Sequence, residues 1–328
     1  MPALAALALS LLGAAHAGPT LDHVKRTGRV TCGVAGAPGF ASPDGAGRYE
    51  GFDADFCRAI AAAIFGEPDR VAFVKVDSLE GFLRSPDADL AIRGLTWTFS
   101  REVGRGIRFG PVTFYDGLTF LVPKKAGRRS PRDLSRLPAC VLAGSQALGD
   151  LERYFSAERL DLKSVVVADE AEALAGLRSG RCAAFAADAS ELASALAGMA
   201  DGDGYVIMPQ RLSKEPLAPL LRSGDEEFFD LVRWSVFAMI DAEELGITSG
   251  NVDALADSSD PEVKRFLSAA APARSGLAAR WPYRIVKGVG NLGEVYERHF
   301  GARGKARLER GANRLWKDGG LMFAPPLR

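Results

Sequence analysis

The sequence has no net charge, few histidines and little cysteine, and each shortage excludes a class of function. Its 328 residues carry 41 Lys and Arg against 41 Asp and Glu. A protein that neutralises nucleic-acid phosphates needs a surplus of cations, so this balance argues against a nucleic-acid partner. The chain has three histidines and four cysteines. Because these leave little for histidine-based catalysis or a metal site, we expect no metal ion and no cofactor.

No long apolar run of membrane-spanning length follows the amino-terminal segment, and that segment is itself too short to span a membrane. Residues 1–17 contain no charged side chain, and their apolar stretch, residues 3–15, is shorter than the roughly 20 residues of a membrane-spanning helix. Ala15-His16-Ala17 has the small-x-small pattern of a signal-peptidase site, and Gly18-Pro19 interrupts a helix. We therefore predict that residues 1–17 are a secretory signal peptide. It lacks the usual basic segment before the apolar stretch, and a buried amino-terminal helix is the alternative.

The four cysteines all follow this segment, and none forms a CxxC motif, which argues against zinc binding and thioredoxin-type chemistry. Four cysteines allow three pairings. Cys32 ends a predicted strand and Cys57 lies in the next helix, whereas Cys140 and Cys182 each begin a predicted strand further along. The pairing Cys32–Cys57 and Cys140–Cys182 keeps each bridge local and suits an oxidising compartment. Four buried, reduced thiols are the alternative.

Predicted strands and helices alternate in two separate series, which is typical of α/β domains with parallel sheets. In the first series, Asp53 is expected to cap a helix that Gly66 ends. The first series comprises strands at residues 29–34, 71–76 and 90–92 and helices at residues 52–63 and 78–83; the second comprises strands at residues 139–142, 165–167 and 182–186 and helices at residues 147–155, 170–177 and 190–196.

Two extended segments, residues 109–122 and 215–221, cross between these series. A chain that leaves one lobe and returns to it predicts that the second lobe, residues 116–214, is inserted into the first. The first lobe then comprises residues 18–115 and 215–328. Residues 226–245 form a helix that is apolar almost all round, so it must be buried against other elements.

The last part of the chain, residues 281–328, carries 10 basic and 4 acidic residues. We interpret this surplus as a solvated tail whose Arg and Lys stems lie on apolar surface. Binding of an anionic partner is the alternative.

The segment from Arg93 to Arg101 suggests a binding site for a carboxylate. It follows a predicted parallel strand, and ligands of open α/β sheets bind beyond the carboxyl ends of the strands. Arg101 supplies a guanidinium that can hold a carboxylate with two hydrogen bonds, Thr96 supplies a hydroxyl, and Gly94 permits close backbone approach. A surface arginine after a threonine-rich turn is the alternative.

The second series supplies complementary groups. Ser145 and Gln146 lie at a strand-to-helix junction, where free N–H groups favour an anionic ligand group. Asp188 ends a predicted strand among small apolar residues, and an ammonium group is its natural partner. The alternative is that Asp188 caps the helix that begins at Ser190. If Arg101 and Asp188 face one cleft, together they can bind a zwitterion.

Several segments resemble the amino-acid-binding proteins of bacterial ABC transporters, and the later ones resemble their general L-amino-acid-binding branch. The likeness extends over nearly all of residues 21–328, and the four cysteines fall where that branch has them. These segments are residues 49–60 (YEGFDADFCRAI), residues 96–98 (TWT) with Arg101, residues 213–217 (SKEPL), residues 237–246 (FAMIDAEELG), residues 288–294 (GVGNLGE) and residues 315–321 (LWKDGGL) followed by Ala324-Pro325-Pro326.

The resemblance implies a two-lobed periplasmic binding protein type II fold, with a mostly parallel sheet in each lobe and two strands crossing between them. It also implies a monomer that captures an L-amino acid in the periplasm, delivers it to a membrane permease and catalyses no reaction. Gly94, Thr96 and Arg101 would hold the α-carboxylate with help from the turn at Ser145 and Gln146. Asp188 would hold the α-ammonium group, and Phe40 would cover the ligand side chain.

The sequence departs from the family pattern at three places that bear on specificity. The loop at residues 85–87 is two residues shorter, Leu95 stands where a polar residue is usual, and Gly144-Ser145-Gln146 replaces Gly-Thr-Thr. An alternative function is a periplasmic enzyme on the same fold, a dehydratase acting on a cyclic carboxylic acid. Such an enzyme needs a general acid in the cleft, and the sequence offers no obvious one.

Overall fold

The structure, a computed structural model, describes residues 18–272, 275–302, 304 and 306–327; the predicted signal peptide, residues 1–17, lies outside them. Within these ranges, no helix combines the length and apolar character that crossing a membrane requires. The strands are β1 (Val30–Val34), β2 (Ser42–Pro43), β3 (Tyr49–Glu50), β4 (Val71–Lys75), β5 (Leu90–Ala91), β6 (Ile107–Phe109), β7 (Phe114–Asp116), β8 (Leu118–Pro123), β9 (Pro138–Leu142), β10 (Lys163–Val167), β11 (Ala184–Asp188), β12 (Tyr205–Ile207), β13 (Glu215–Leu217) and β14 (Leu220–Arg222). The helices are α1 (Pro19–Thr27), α2 (Phe52–Phe65), α3 (Leu79–Arg84), α4 (Phe99–Glu102), α5 (Ala147–Ala157), α6 (Glu170–Ser179), α7 (Ala189–Gly198), α8 (Glu226–Glu244), α9 (Pro261–Leu267), α10 (Trp281–Gly288) and α11 (Leu292–His299).

Two five-stranded sheets organise the molecule, with the strand orders β4-β1-β5-β14-β6 and β10-β9-β11-β8-β12. In the first sheet β1 is parallel to β4 and β5, and β14 is antiparallel to both β5 and β6. In the second sheet β9 is parallel to β10 and β11, and β8 is antiparallel to both β11 and β12. Each sheet therefore has one reversed strand. The predicted α/β architecture with two mostly parallel sheets is confirmed.

The chain passes from the first sheet to the second through β7 and returns through β13. These two strands pair with each other antiparallel, so that Asp116 lies opposite Glu215 and Phe114 opposite Leu217. The strands of the second sheet all lie between Leu118 and Ile207, within the part of the chain that β7 and β13 enclose. The outgoing and the returning crossing therefore lie side by side.

Helix α2 begins differently from the prediction. Its N-cap is Gly51, not Asp53, and no side chain caps it. Gly51 has a φ of 134°, and a Cβ there would lie 2.2 Å from the Phe40 carbonyl oxygen. Glycine is therefore needed to let that carbonyl approach the free N–H groups of the first turn. Gly66 ends the helix in the left-handed conformation, as predicted.

The main hydrophobic core surrounds α8. As predicted, this helix is buried, and it packs against α2, α10 and α11. The interpretation of residues 281–328 as a solvated tail is wrong. Buried apolar side chains anchor α10 and α11 in the same core, and several of the basic residues form ion pairs. The buried side chains are Trp281, Ile285, Val286, Leu292, Val295, Tyr296 and Phe300, and the ion pairs are Lys287–Asp253, Arg298–Asp55 and Arg310–Glu243.

Two disulfides link neighbouring elements in the two halves of the molecule. Cys32 of β1 is bonded to Cys57 of α2, and Cys140 of β9 is bonded to Cys182, two residues before β11. This is the local pairing favoured by the sequence, and the alternative of four reduced thiols is not what the structure contains. The predicted strand at 182–186 begins instead at Ala184.

Candidate functional site

A cavity of about 240 Å³ is lined by residues that follow or end strands of both sheets. It brings together groups from both series that the sequence predicts to bind a zwitterion. Six of the seven expected ligand-binding residues line it: Gly94, Thr96, Arg101, Ser145, Gln146 and Asp188.

The wall of this cavity on the side of the first sheet is cationic. After β5, the chain turns at Gly94, whose φ is +64°, and continues to Arg101 in α4. Arg101 donates one hydrogen bond from Nη1 to the Thr96 carbonyl oxygen at 2.8 Å. Among the described residues, no carboxylate lies within ion-pair distance of Arg101. Its guanidinium therefore keeps N–H groups available for a carboxylate of a ligand.

The hydroxyl of Thr96 already has a partner. It donates a hydrogen bond to Oε2 of Glu215 in β13 at 2.6 Å. Because a hydroxyl has one proton, Thr96 offers lone pairs to the cavity while this bond holds, and lone pairs suit an ammonium group better than a carboxylate. Sequence reasoning missed Glu215; its place in the predicted crossing at residues 215–221 is the signal that could have identified it.

The wall on the side of the second sheet is anionic. Asp188 ends β11 at the N-cap position of α7, but its side chain makes no capping hydrogen bond. Asp116 of β7 takes that role by accepting hydrogen bonds from the Ser190 hydroxyl and, at 3.3 Å, from the Ser190 N–H. The alternative, that the side chain of Asp188 caps this helix, is therefore wrong. No described residue donates a hydrogen bond to the half-buried carboxyl of Asp188.

The surroundings of Asp188 resist its ionisation. Burial, followed by the charges of Asp116, Glu191 and Glu215, raises its pKa to about 8. Each of these influences disfavours a negative charge on Asp188. A cation placed beside it would oppose them and lower its pKa. An ammonium group of a ligand is such a cation.

Ser145 and Gln146 lie at the start of α5, at the strand-to-helix junction where the sequence predicts free N–H groups. Both are exposed, and the Ser145 hydroxyl donates to the Leu142 carbonyl oxygen at 2.8 Å within its own turn. What they present to the cavity is the start of α5, whose first N–H groups have no partner within the helix. Asp150 in the first turn of α5 also lines the cavity and opposes a strongly anionic ligand group there.

Phe40 lies outside this cavity and lines an adjoining one of about 420 Å³, which shares Gly94 and Asp188 with the first. Phe40 as a whole is 7% exposed, and its ring packs edge-on against Phe114 and Phe300. Phe40 is therefore mainly a core residue with one face toward the cleft. Arg93 also lines this second cavity; sequence reasoning passed over it, although it directly precedes Gly94.

The described residues contain no cluster of three or more His, Cys, Asp or Glu side chains arranged to hold a metal ion. The site is made of separated cationic and anionic groups, which can bind a molecule that carries both charges.

Known proteins resemble this chain over almost its whole length. Residues 30–249 match the family of bacterial extracellular solute-binding proteins, family 3. The chain is 40% identical over 333 residues to the general L-amino acid-binding periplasmic protein AapJ of Rhizobium johnstonii, covering 99% of this chain and 98% of that protein. It is 40% identical over 329 residues to the glutamate/glutamine/aspartate/asparagine-binding protein BztA of Rhodobacter capsulatus, covering 98% and 97%.

A solved structure shares the whole architecture. The ABC transporter periplasmic binding protein from Brucella ovis, with glutathione bound, is 41% identical and superposes with a TM-score of 0.83 over 95% of this chain and 100% of that chain. This likeness confirms the type II periplasmic binding protein fold. The chain belongs to the bacterial extracellular solute-binding proteins, family 3.

Proposed function

We propose that this protein captures a free L-amino acid between two lobes in the periplasm and delivers it, as a monomer, to the membrane permease of an ABC transporter. The observation that carries the proposal is that Arg101 and Asp188 line one cavity, and neither forms an ion pair with another described residue. A zwitterion supplies both missing charges at once. The printed names of the two 40% identical relatives agree with such a ligand.

In this proposal Arg101 holds the α-carboxylate, with the backbone at Gly94 and Thr96 and the start of α5 beside it. Asp188 and the Thr96 hydroxyl receive the α-ammonium group. Phe40 and Arg93 face the ligand side chain in the adjoining cavity. A charged ligand held out of water needs this kind of direct pairing, because its lost hydration must be replaced.

We further propose that the lobes comprise residues 18–115 with 215–328 and residues 116–214. Residues 113–117 and 213–216, which include parts of β7 and β13, would act as the hinge between them. Since Arg101 and Asp188 lie on opposite sides of the hinge, a zwitterion would favour the closed form by contacting both lobes.

A calorimetric titration of the mature chain, residues 18–328, tests the proposal. The ligands are the twenty amino acids together with two analogues of glutamate: glutarate, which lacks the ammonium group, and γ-aminobutyrate, which lacks the α-carboxylate. We expect one or more L-amino acids to bind and both analogues to bind at least tenfold more weakly than glutamate if glutamate binds. If none of the twenty amino acids binds, the proposal is overturned.

Glutathione belongs in the same titration. Its γ-glutamyl end carries the same α-carboxylate and α-ammonium group as a free amino acid, and the 41% identical Brucella ovis protein holds it. The adjoining cavity of about 420 Å³ has room for a chain beyond the γ-glutamyl group. Binding of glutathione beside amino acids would show that recognition is centred on the zwitterionic end.

We propose no catalytic step. The dehydratase alternative requires a proton donor in the cleft, and Asp188, with its pKa raised to about 8, has the chemistry of one. Incubation with a prephenate-like cyclic carboxylic acid distinguishes the two functions. We expect the acid to be recovered unchanged by chromatography, whereas product formation that Asp188→Asn abolishes would favour the enzyme.

A further inference from the structure

Helix α2 holds the loop that carries Phe40 through the backbone of its first turn. The N–H of Phe52 donates to the Gly39 carbonyl oxygen at 2.9 Å. The N–H groups of Asp53 and Ala54 both donate to the Phe40 carbonyl oxygen, at 2.8 and 3.2 Å. A loop carbonyl thus satisfies N–H groups that a capping side chain satisfies in other helices.

The carboxyl of Asp53 lies beside the turn at Gly94, which lines the same cleft. It is 2% exposed, and both the Gly94 N–H and the guanidinium of Arg93 are close enough to act on its pKa. Its Oδ2 is buried without a hydrogen-bond partner among the described residues. One residue therefore joins the Phe40 loop, through its backbone, to the turn at Gly94, through its side chain.

The charge that acts on Asp53 is that of Arg93, and Arg93 in turn lies near Arg101 and Asp77. Burial raises the pKa of Asp53 to about 7, although Arg93 and the Gly94 N–H act in the opposite direction. Arg93 is itself fixed, since its Nε and Nη2 donate to the carbonyl oxygens of Val76 and Asp77, each at 2.9 Å.

We propose that Asp53 is a positioning residue for the ligand cleft, which sets amino-acid affinity by fixing the turn at Gly94 against the Phe40 loop without touching the ligand. This inference rests on the proposed amino-acid binding. The turn needs such a restraint because Gly94 is exposed, has a φ of +64° and precedes the segment that carries Thr96 and Arg101. A small displacement there moves the group that is to meet the carboxylate.

Asp55 provides a matched control in the same helix turn. It is also buried, at 6% exposed, but its carboxylate pairs with His299, Arg298 and Arg58, away from the cleft. Burial alone would raise its pKa, yet these partners hold it below the usual value. Loss of Asp55 should therefore affect the stability of the fold and leave the cleft unchanged.

The experiment compares Asp53→Ala, Asp53→Asn and Asp55→Asn by two measurements. Calorimetry gives the affinity for the amino acid that binds wild-type protein most tightly. Hydrogen exchange of a peptide covering residues 92–96, followed by mass spectrometry without ligand, reports the Gly94 amide. We expect Asp53→Ala to weaken binding about tenfold and to accelerate exchange by a similar factor. Asp53→Asn keeps an acceptor for Gly94 and should recover to within about threefold of wild type.

Asp55→Asn should lower the melting temperature while changing affinity by less than about twofold. The positioning role is overturned if Asp53→Ala leaves both exchange and affinity unchanged, or if Asp53→Asn is no better than Asp53→Ala. If wild-type protein binds no amino acid, the proposed function fails instead, and the exchange measurement still decides whether Asp53 fixes the turn.

Discussion

The two walls of the cleft carry opposite charges, and Arg101 and Asp188 form no ion pair with any described residue. On the side of the first sheet, Arg101 and Arg93 face the cavities. On the side of the second sheet, burial and the charges of neighbouring acidic groups raise the pKa of Asp188 to about 8. Neither wall compensates the other through an ion pair among the described residues.

This difference assigns a separate task to each wall. The first wall presents an arginine, a side chain that keeps a fixed positive charge in proteins, whereas Asp188 gains its full charge only when a cation approaches. A ligand carboxylate can therefore bind the first wall at once, and an ammonium group completes the site on the second. In the proposed function, binding of both groups would draw the walls together and so link recognition to closure about β7 and β13.

Removal of the cation is the strongest test of this asymmetry. Arg101→Ala should weaken amino-acid binding by about a hundredfold or more in calorimetry, because a buried ligand carboxylate loses its charged partner. Arg105→Ala is the control, since Arg105 pairs with exposed Glu80 outside the cavities. An affinity of Arg101→Ala close to that of the control would contradict the role of this wall.

Neutralising the opposite wall should have a large but more complex effect. Asp188→Asn should weaken binding by about thirtyfold, because the ammonium group then meets an amide instead of a carboxylate. It should also raise the melting temperature of ligand-free protein near pH 8. In wild type the raised pKa means that the folded state binds more protons than the unfolded state between about pH 4 and pH 8, so stability falls as pH rises through this range.

Thermal melts at pH 5 and pH 8 check the second effect. The gain in melting temperature of Asp188→Asn over wild type should be greater at pH 8 than at pH 5. A variant that is destabilised equally at both values would show that Asp188 supports the fold and not the ligand.

The sequence allowed much of this site to be predicted, since strand ends of a parallel sheet converge at one edge. Gly94, Arg101 and Asp188 all follow or end predicted strands, and they do line one cavity. The resemblance to a family supplied the roles, which spacing alone left open.

The groups that tune these residues could not be predicted in the same way. Asp116 meets Ser190 across 74 positions, and Thr96 meets Glu215 across 119. Such pairs form because of the way the two crossing strands, β7 and β13, lie beside the sheets. No local sequence pattern predicts that arrangement. Asp53 is a further example. Its place at the start of a helix predicts a cap, whereas its contact with Gly94 depends on the tertiary fold and leaves no local pattern.

Proton release gives a moderate effect that separates the two walls. If the ligand ammonium group lowers the pKa of Asp188 from about 8, binding at pH 7 expels a proton, and affinity should rise several-fold from pH 6.5 to pH 7.5. Titration in two buffers of different ionisation enthalpy measures the protons released. The number should fall in Asp188→Asn and stay unchanged in the Arg105→Ala control.

The smallest expected effect concerns the strand that joins the walls. Glu215→Gln keeps the shape of the side chain but removes its carboxylate. That carboxylate accepts hydrogen bonds from the Thr96 hydroxyl at 2.6 Å and from the Ser213 hydroxyl at 3.2 Å. The weaker acceptor should reduce affinity about threefold, because Thr96 then directs its lone pairs toward the ammonium group less consistently. Thr96→Ser retains the hydroxyl and serves as the control, while Thr96→Val should match or exceed the loss in Glu215→Gln. The double variant Thr96→Val with Glu215→Gln separates two explanations. If Glu215→Gln weakens binding as much in the Thr96→Val background as in wild type, its effect does not depend on the Thr96 hydroxyl, and Glu215 influences Asp188 by charge alone.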